Sequence, residues 1–231
     1  MPSVTLNKII FDVLNIAASG PNSQDFRINE KQVIYWINEI RSQLIAQALQ
    51  KRQDISDTWV QTVPKVTMSL ADVSEATDIP LDCYLLKSDL QLPQTIENWD
   101  DNLVLSVTGL DNTPIGKSNL FRARYKTYSK YSYNQASWYI RNNYLYIVNS
   151  KDNLISVVTV VGVFEDPMDL NRFLTATNEV LMTRDSAYPV SAKMASTITD
   201  IIINTKVLPL FKNPRDSEND ANDNSAREIN N

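Results

Sequence analysis

Residues 143 to 167 read "NYLYIVNSKDNLISVVTVVGVFEDP", and the second half of this stretch decides the fold. A strand with one face in water alternates apolar and polar residues, yet only Ser156, Thr159 and Gly162 interrupt the apolar series between residues 154 and 164. Most of the series is Ile, Val or Thr, which favours a strand over a helix. Burying its large side chains contributes on the order of 10 to 20 kcal/mol of gross transfer free energy. We therefore expect helices and sheet, or a neighbouring subunit, to cover both faces.

The composition of the 231-residue chain argues against most catalytic chemistry, because it has no histidine, one cysteine (Cys83) and four glycines. Without histidine, Ser-His and Cys-His nucleophile pairs cannot form, and zinc would need an unusual ligand set. The glycines are isolated, which excludes the clustered glycine of nucleotide-binding loops. We predict that the protein is not an enzyme, with no catalytic residues, no metal and no cofactor.

An enzyme built on carboxylates alone is the remaining catalytic alternative, and the sequence supports it least. Asp100 and Asp101 lie in a predicted loop, while Glu165 and Asp166 end a strand and cap the short helix that Pro167 begins. The acidic run at 216–225 lacks the glycine and glutamate of a calcium loop.

The N-terminal twenty residues do not read as an export signal, because polar residues interrupt their apolar positions. The longest apolar run, 154–164, is too short to span a bilayer as a helix. We expect a soluble protein, made inside the cell, with no membrane partner. The net charge of −5 argues weakly against general affinity for nucleic acid.

Helical periodicity marks both ends of the chain. Apolar residues from Leu6 to Ala17 follow one helix face with Thr5 as a cap, and a longer helix begins near Asn29. The longer helix has two apolar flanks, so it either lies at the centre of its own bundle or packs against other elements as well as its partner helix. A late helix carries an apolar face from Val190 and stops before Pro209.

Strand patterns fill the region between the helices. Val60 to Met68 alternates around Pro64, which is typical of an edge strand or a bulge. Residues 119–131 are expected to form a strand, and Asn142 with Asn143 predicts the turn of a hairpin. Residues 149–153 predict a second hairpin loop, which makes the opening strand the last of a meander.

These patterns predict an α+β fold in which the N- and C-terminal helices form a small bundle. The β-region is then an antiparallel meander or sandwich-like insertion, followed by a tail that is disordered or ordered only by a partner. The predicted divisions are a helical hairpin at 1–56, a β-rich domain at 57–166, returning helices at 167–211 and a polar tail at 212–231.

The segment 112–151 is basic and aromatic, with no Asp or Glu between Asn112 and Lys151. Three interpretations stay open. In the first, one strand turns Arg122, Arg124 and Lys126 outward while Tyr125 packs inward. In the second, the basic surface meets the acidic remainder of an identical neighbour. In the third, the basic surface binds nucleic acid. The last makes a nucleic-acid-binding accessory protein the alternative function.

The order of these elements resembles a known family. The helical pair "LNKIIFDVLNIAAS" and "NEKQVIYWINEIRSQLIAQAL", the strands "NYLYIVN" and "VVTVVGVFEDP", and the polar "DSENDANDN" tail are similar to the head-to-tail adaptors of short-tailed double-stranded DNA bacteriophages. Among these, the chain most resembles the connector ring proteins of crAss-like phages.

The resemblance implies a structural protein of the virion neck, assembled in the host cytoplasm. It implies a homo-oligomeric ring of twelve copies beneath the portal protein, with a downstream tail or second ring protein below and DNA passing without sequence-specific contact. A C-terminal arm would reach the portal through Leu208, Leu210, Phe211 and Arg215. A ring neighbour could also cover the apolar strand, so the candidate subunit-contact residues are Arg122, Arg124, Lys126, Lys130, Val158 and Val161.

Overall fold

The computed structural model describes eight stretches of the chain, namely residues 4–18, 28–72, 74–76, 83–98, 101–125, 135–150, 155–175 and 177–211. Its centre is a closed β-barrel of seven strands in the order β1-β2-β8-β7-β6-β5-β9. These strands are Gln61–Leu70 (β1), Cys83–Ser88 (β2), Val104–Gly109 (β5), Pro114–Lys117 (β6), Ser137–Arg141 (β7), Tyr144–Ser150 (β8) and Val157–Gly162 (β9). A separate two-stranded sheet joins Glu97–Asn98 (β3) to Asp101–Asn102 (β4).

Strand β9 closes the barrel because it pairs antiparallel with both β1 and β5. Its residues alternate, with Val158 and Val160 buried and Val157 and Val161 half-buried. Val160 lies between Val63 of β1 and Val107 of β5, all three of them buried. The apolar series thus places one row of valines inside the barrel and a second row on its partly covered outer wall.

The meander prediction was wrong at this strand. The partners of β8 are β2 and β7, so the loop at 149–153 does not join two paired strands. A period of two in a sequence identifies a strand but not its neighbours, because any apolar strand of matching length can satisfy the pattern. Pairing instead joins β9 to β1 across about a hundred residues of chain.

The helices begin where their caps predict. The helix α1 spans Leu6–Ala18, and the Thr5 hydroxyl accepts from the Lys8 amide at 3.2 Å. The helix α2 spans Glu30–Gln50 and is capped by Asn29. Asp166 caps a 3-10 helix at Pro167–Arg172. Three further segments, α4, a π-helical turn and α5, follow at Ala192–Ile202, Ile203–Val207 and Leu208–Phe211.

The prediction of a separate helical bundle with a β-insertion was also wrong. The buried faces of α1, α2 and α4 belong to the same apolar cluster as Val63, Val158, Val160 and the other inward residues of the barrel. Helices and barrel therefore share one core. A second cluster joins Ile45 and Leu49 of α2 to Ile96, Leu103 and Val163.

Two local predictions need correction as well. Within 119–131 the chain forms a short helix, α3 (Leu120–Arg124), because the Asn119 side chain accepts from the Arg122 amide at 2.8 Å. The late helix continues through Pro209 instead of stopping before it, since α5 includes that residue. The fourfold division of the chain stays a prediction, and its polar tail, 212–231, lies outside the described residues.

Candidate functional site

The first candidate site lies on the outer wall of the barrel, where α3 packs. Ala123 of α3 is buried against Leu85 of β2, Tyr139 of β7, and Tyr146 and Val148 of β8. This packing turns the opposite side of the short helix towards solvent, so Phe121 is 69% exposed and Tyr125 is 67% exposed. We call the exposed residues Lys117, Phe121, Arg122 and Tyr125 the α3 surface.

The two basic residues of the α3 surface flank the same cleft. Lys117 and Arg122, with Phe121 and Tyr125, line a cleft of about 540 Å³ between β6, α3 and the start of β7. The Lys117 ammonium donates to the carbonyl of Asn102 at 3.4 Å and lies 5.4 Å from the centre of the Trp138 ring. That arrangement holds its charge near the barrel wall.

Other predicted basic residues do not join this surface. Arg141 is exposed but lies at the far end of β7, since Lys117 is paired with Trp138 at the beginning of that strand. The backbone of Arg124 belongs to α3, whereas Lys126, Lys130 and Arg215 lie outside the described residues. The basic segment is therefore not one continuous stripe along the described part of the barrel.

A polar cluster stabilises the same wall beside α3. The Lys87 ammonium donates to Glu75 at 2.9 Å and lies 4.4 Å from the Tyr144 ring centre, and the Tyr146 hydroxyl donates to Glu75 at 3.1 Å. The hydrogen bond from Lys87 lowers the pKa of Glu75, and the same bond raises the pKa of Lys87. Burial raises the pKa of Tyr146. The ring of Tyr146 stacks on Tyr139 with centroids 5.2 Å apart, so the cluster fixes β7 and β8 at the base of α3.

The second candidate site is a cleft of about 550 Å³ between α2 and the residues that follow β9. We call it the α2 cleft, and its lining residues are Lys31, Ile34, Tyr35, Asn38, Glu39, Ser42, Glu165 and Asp166. Tyr35 is 66% exposed and stands at the cleft, whereas Glu39 forms an ion pair with Lys206 at 3.2 Å. Burial raises the pKa of Asp166, whose carboxylate also accepts from the Met168 amide at 2.8 Å.

Arg41 joins the two elements that border the α2 cleft. Its guanidinium is fully buried and donates to the carbonyls of Phe164 at 2.7 Å and Pro189 at 3.2 Å, with longer contacts to those of Trp59 and Glu165. Burial lowers the pKa of Arg41 and raises that of neighbouring Tyr188. One side chain thus joins α2 to the end of β9, the approach to β1 and the start of the late helix.

Sequence reasoning missed Arg41 and Tyr35. A signal for Arg41 was present, because it occupies the same helix face as Ile37 and Ile45, four residues to either side, and both are buried. Tyr35 stands off the apolar stripe of α2, and a lone aromatic residue there gives no signal that a cleft lies beside it.

The remaining predicted site residues are dispersed. Val158 is buried inside the barrel, so it packs the core of the protomer, and Val161 is half-buried on the outer wall. Leu208 and Leu210 are 46% and 53% exposed and, being two residues apart on a helix, point to opposite sides of it. Phe211 is the last residue of α5. The portal-docking role of these residues stays a prediction, and Arg215 lies outside the described residues.

The described residues offer little for a metal or a membrane. Within the ranges given above, no three acidic or cysteine side chains approach closely enough to hold a metal ion. Among the same residues, no helix combines the length and the apolar content needed to cross a bilayer.

A family model described as phage tail ring protein 2 matches residues 8–225. No curated protein matches the chain in sequence.

Proposed function

This chain belongs to the phage tail ring protein 2 family, and from that premise we propose that its copies form the connector ring that joins the capsid to the tail. Membership of the family makes the protein a structural component of the phage tail and hence of the virion. The proposal adds a position, directly beneath the portal protein and above a downstream tail or second ring protein. It also adds twelve copies surrounding the channel through which the DNA leaves, in a virion neck assembled in the host cytoplasm.

The observation that carries the proposal is the family match over nearly the whole chain. The closed barrel supports it physically. Each of the seven strands has a partner on both sides, so the barrel offers no open sheet edge for adding strands from other chains. Copies of such a protomer assemble through side-chain surfaces, and the α3 surface and the α2 cleft are two such surfaces.

The end of the late helix is the proposed contact with the portal. Leu208 and Leu210 present apolar side chains to opposite sides of α5, close to where the described chain ends. Such a segment can bind in a groove of the portal protein and contact both walls of that groove, as expected of an arm that docks on a partner. Phe211 and Arg215 are proposed to extend the same contact.

Passage of DNA through the ring requires weak, non-specific interaction. The net charge of −5 disfavours tight binding to phosphate, and the described basic residues of the segment 112–151 are divided between the two ends of β7. The geometry therefore does not favour the alternative of a nucleic-acid-binding accessory protein. No enzymatic activity is proposed.

The test is the particle mass of the purified protein, alone and mixed with the portal ring encoded by the same genome. We expect a stoichiometric complex with the mass of one ring of this protein on one portal. Removing residues 213–231 should leave the thermal unfolding temperature unchanged and weaken the complex. A protein that ignores the portal and shows salt-dependent binding to DNA would contradict the proposal.

A further inference from the structure

We propose that neighbouring copies of this chain join by seating the α3 surface of one copy in the α2 cleft of the next. The inference rests on the proposed ring, and it identifies the two surfaces that hold the copies together. The occupant of the α2 cleft is therefore a second copy of this chain.

The strand order separates the supports of the two surfaces around the barrel. The α3 surface is supported by β2, β7 and β8, whereas the α2 cleft is lined by residues that directly follow β9. In the strand order β1-β2-β8-β7-β6-β5-β9, both β7 and β8 lie three strands from β9. Three strands is the greatest separation that seven allow, and β2 and β6, which also border the α3 surface, lie two strands from β9. A ring with many copies needs two different patches facing nearly away from each other, because successive copies are related by a small rotation.

The α3 surface presents exposed aromatic side chains that the α2 cleft has room to receive. Phe121 lies in α3 and Tyr125 caps its C-terminus, and both exposed side chains line the same cleft. The α2 cleft is concave, with a volume of about 550 Å³, and it presents Tyr35 beside Ile34. Exposed aromatic residues at the centre of a patch are typical of protein interfaces, where they fill pockets on the partner.

The charges of the two surfaces are also complementary. The α3 surface carries Lys117 and Arg122, in a segment without acidic residues between Asn112 and Lys151. The lining of the α2 cleft carries the carboxylates of Glu39, Glu165 and Asp166 and the ammonium of Lys31. Glu39 is already paired with Lys206, so these five side chains have an excess of one negative charge. Unlike charges attract the surfaces and set their register, and two like copies of either surface would repel each other. The same cleft charge also disfavours a nucleic acid as its occupant.

A charge exchange tests the contact. Arg122→Glu and Glu165→Arg, each made alone, should lower the apparent association constant between copies at least about tenfold, because each places like charges in contact. The chain carrying both substitutions should regain assembly. The readout is particle mass under the condition in which the unchanged protein assembles, and thermal unfolding confirms that each variant is folded. Arg52→Glu, at an exposed turn after α2, is the matched control and should assemble normally.

Cross-linking tests the same contact without relying on charge. A chain with Phe121→Cys and Tyr35→Cys, in a Cys83→Ser background, should give a ladder of covalent multimers with a bismaleimide of about 10 Å reach. Either cysteine alone should give no dimer, since a head-to-tail contact never brings a residue to its own counterpart. Absence of the ladder in an assembled ring, or normal assembly of Arg122→Glu, would overturn this inference.

The outcomes separate this inference from the proposed function. If the unchanged protein forms no ring, alone or on the portal, the proposed function itself fails. If it forms rings that Arg122→Glu and Glu165→Arg leave intact, only this contact fails. Loss of salt-dependent DNA binding in Arg122→Glu, with assembly unchanged, would assign the α3 surface to nucleic acid and also overturn the inference.

Discussion

The guanidinium of Arg41 donates a hydrogen bond of 2.7 Å to the carbonyl oxygen of Phe164, 123 residues away in the sequence. Both residues are fully buried. Arg41 also donates to the carbonyl of Pro189. A planar guanidinium with five donors can satisfy several carbonyls at once, which a lysine ammonium cannot do in the same geometry. This residue therefore fastens α2 to the end of strand β9.

Replacing Arg41 with methionine should destabilise the fold. The apolar volume is roughly kept, but the carbonyls of Phe164 and Pro189 lose their donor inside the core. Each buried carbonyl without a partner costs about 1 to 3 kcal/mol, so losing the donor to two of them should lower the free energy of unfolding by about 2 to 6 kcal/mol. Urea denaturation followed by tryptophan fluorescence measures the change. Arg52→Met, at an exposed position, is the control and should change it by less than about 0.5 kcal/mol.

The two faces of strand β9 should respond differently to a carboxylate. Val158 is 1% exposed inside the barrel, so Val158→Asp should prevent folding, because the charge has no partner there. Val161 is half-buried on the outer wall, and Val161→Asp should remain folded with reduced stability. Circular dichroism of the two purified variants distinguishes these results. A folded Val158→Asp variant would contradict the inward orientation of that residue.

The Glu75–Lys87 pair makes stability depend on pH. The folded state lowers the pKa of Glu75 from its ordinary 4.5, so the unfolded chain binds the proton more readily. The stabilising contribution is then fully present above that ordinary value and is lost as pH falls through the lower, folded pKa. For Lys87 the folded pKa is raised, so its contribution is lost only at strongly alkaline pH.

Thermal unfolding between pH 7 and pH 2 should therefore show a smaller loss of stability for Glu75→Gln than for the unchanged protein. Glu179→Gln, at an exposed loop position, is the control and should keep the original pH dependence. Equal pH dependence in the Glu75→Gln variant and the unchanged protein would contradict the role assigned to the pair.

The turn between β7 and β8 should tolerate glycine and reject alanine. Asn142 and Asn143 have φ angles of 51° and 63°, in the left-handed region where a Cβ is disfavoured. Asn143→Ala should lower the free energy of unfolding by about 1 kcal/mol, since alanine lacks the local hydrogen bonding that helps asparagine adopt this conformation. Asn143→Gly should leave it unchanged or slightly raised. Chemical denaturation of the pair of variants gives the comparison, and equal stabilities would contradict the turn assignment.

Much of the local structure could be predicted from particular residues. Asn29 and Asp166 cap the helices expected of them, and Asn142 with Asn143 forms the expected hairpin turn. Pro64 lies where the register of β1 shifts, as its missing amide predicts. The candidate site was harder to predict. Arg122 is exposed and its contact with a neighbour stays a prediction, whereas Val158 is buried inside the barrel of the protomer. Tyr35, which lines the α2 cleft, was not identified at all.

The sequence by itself determined the caps, the turn, the apolar strand and the absence of histidine chemistry, because each depends on residue type or on neighbours a few positions away. Only the tertiary structure decided that β9 pairs with β1 and β5, and that the helices share the core of a closed barrel. The tertiary structure also brings Arg41 into hydrogen-bond contact with Phe164, and it places Tyr35 and Glu165 in the lining of one cleft. Those arrangements depend on the relative free energies of competing long-range pairings, and strands of similar apolar pattern satisfy several of them equally well when read from sequence.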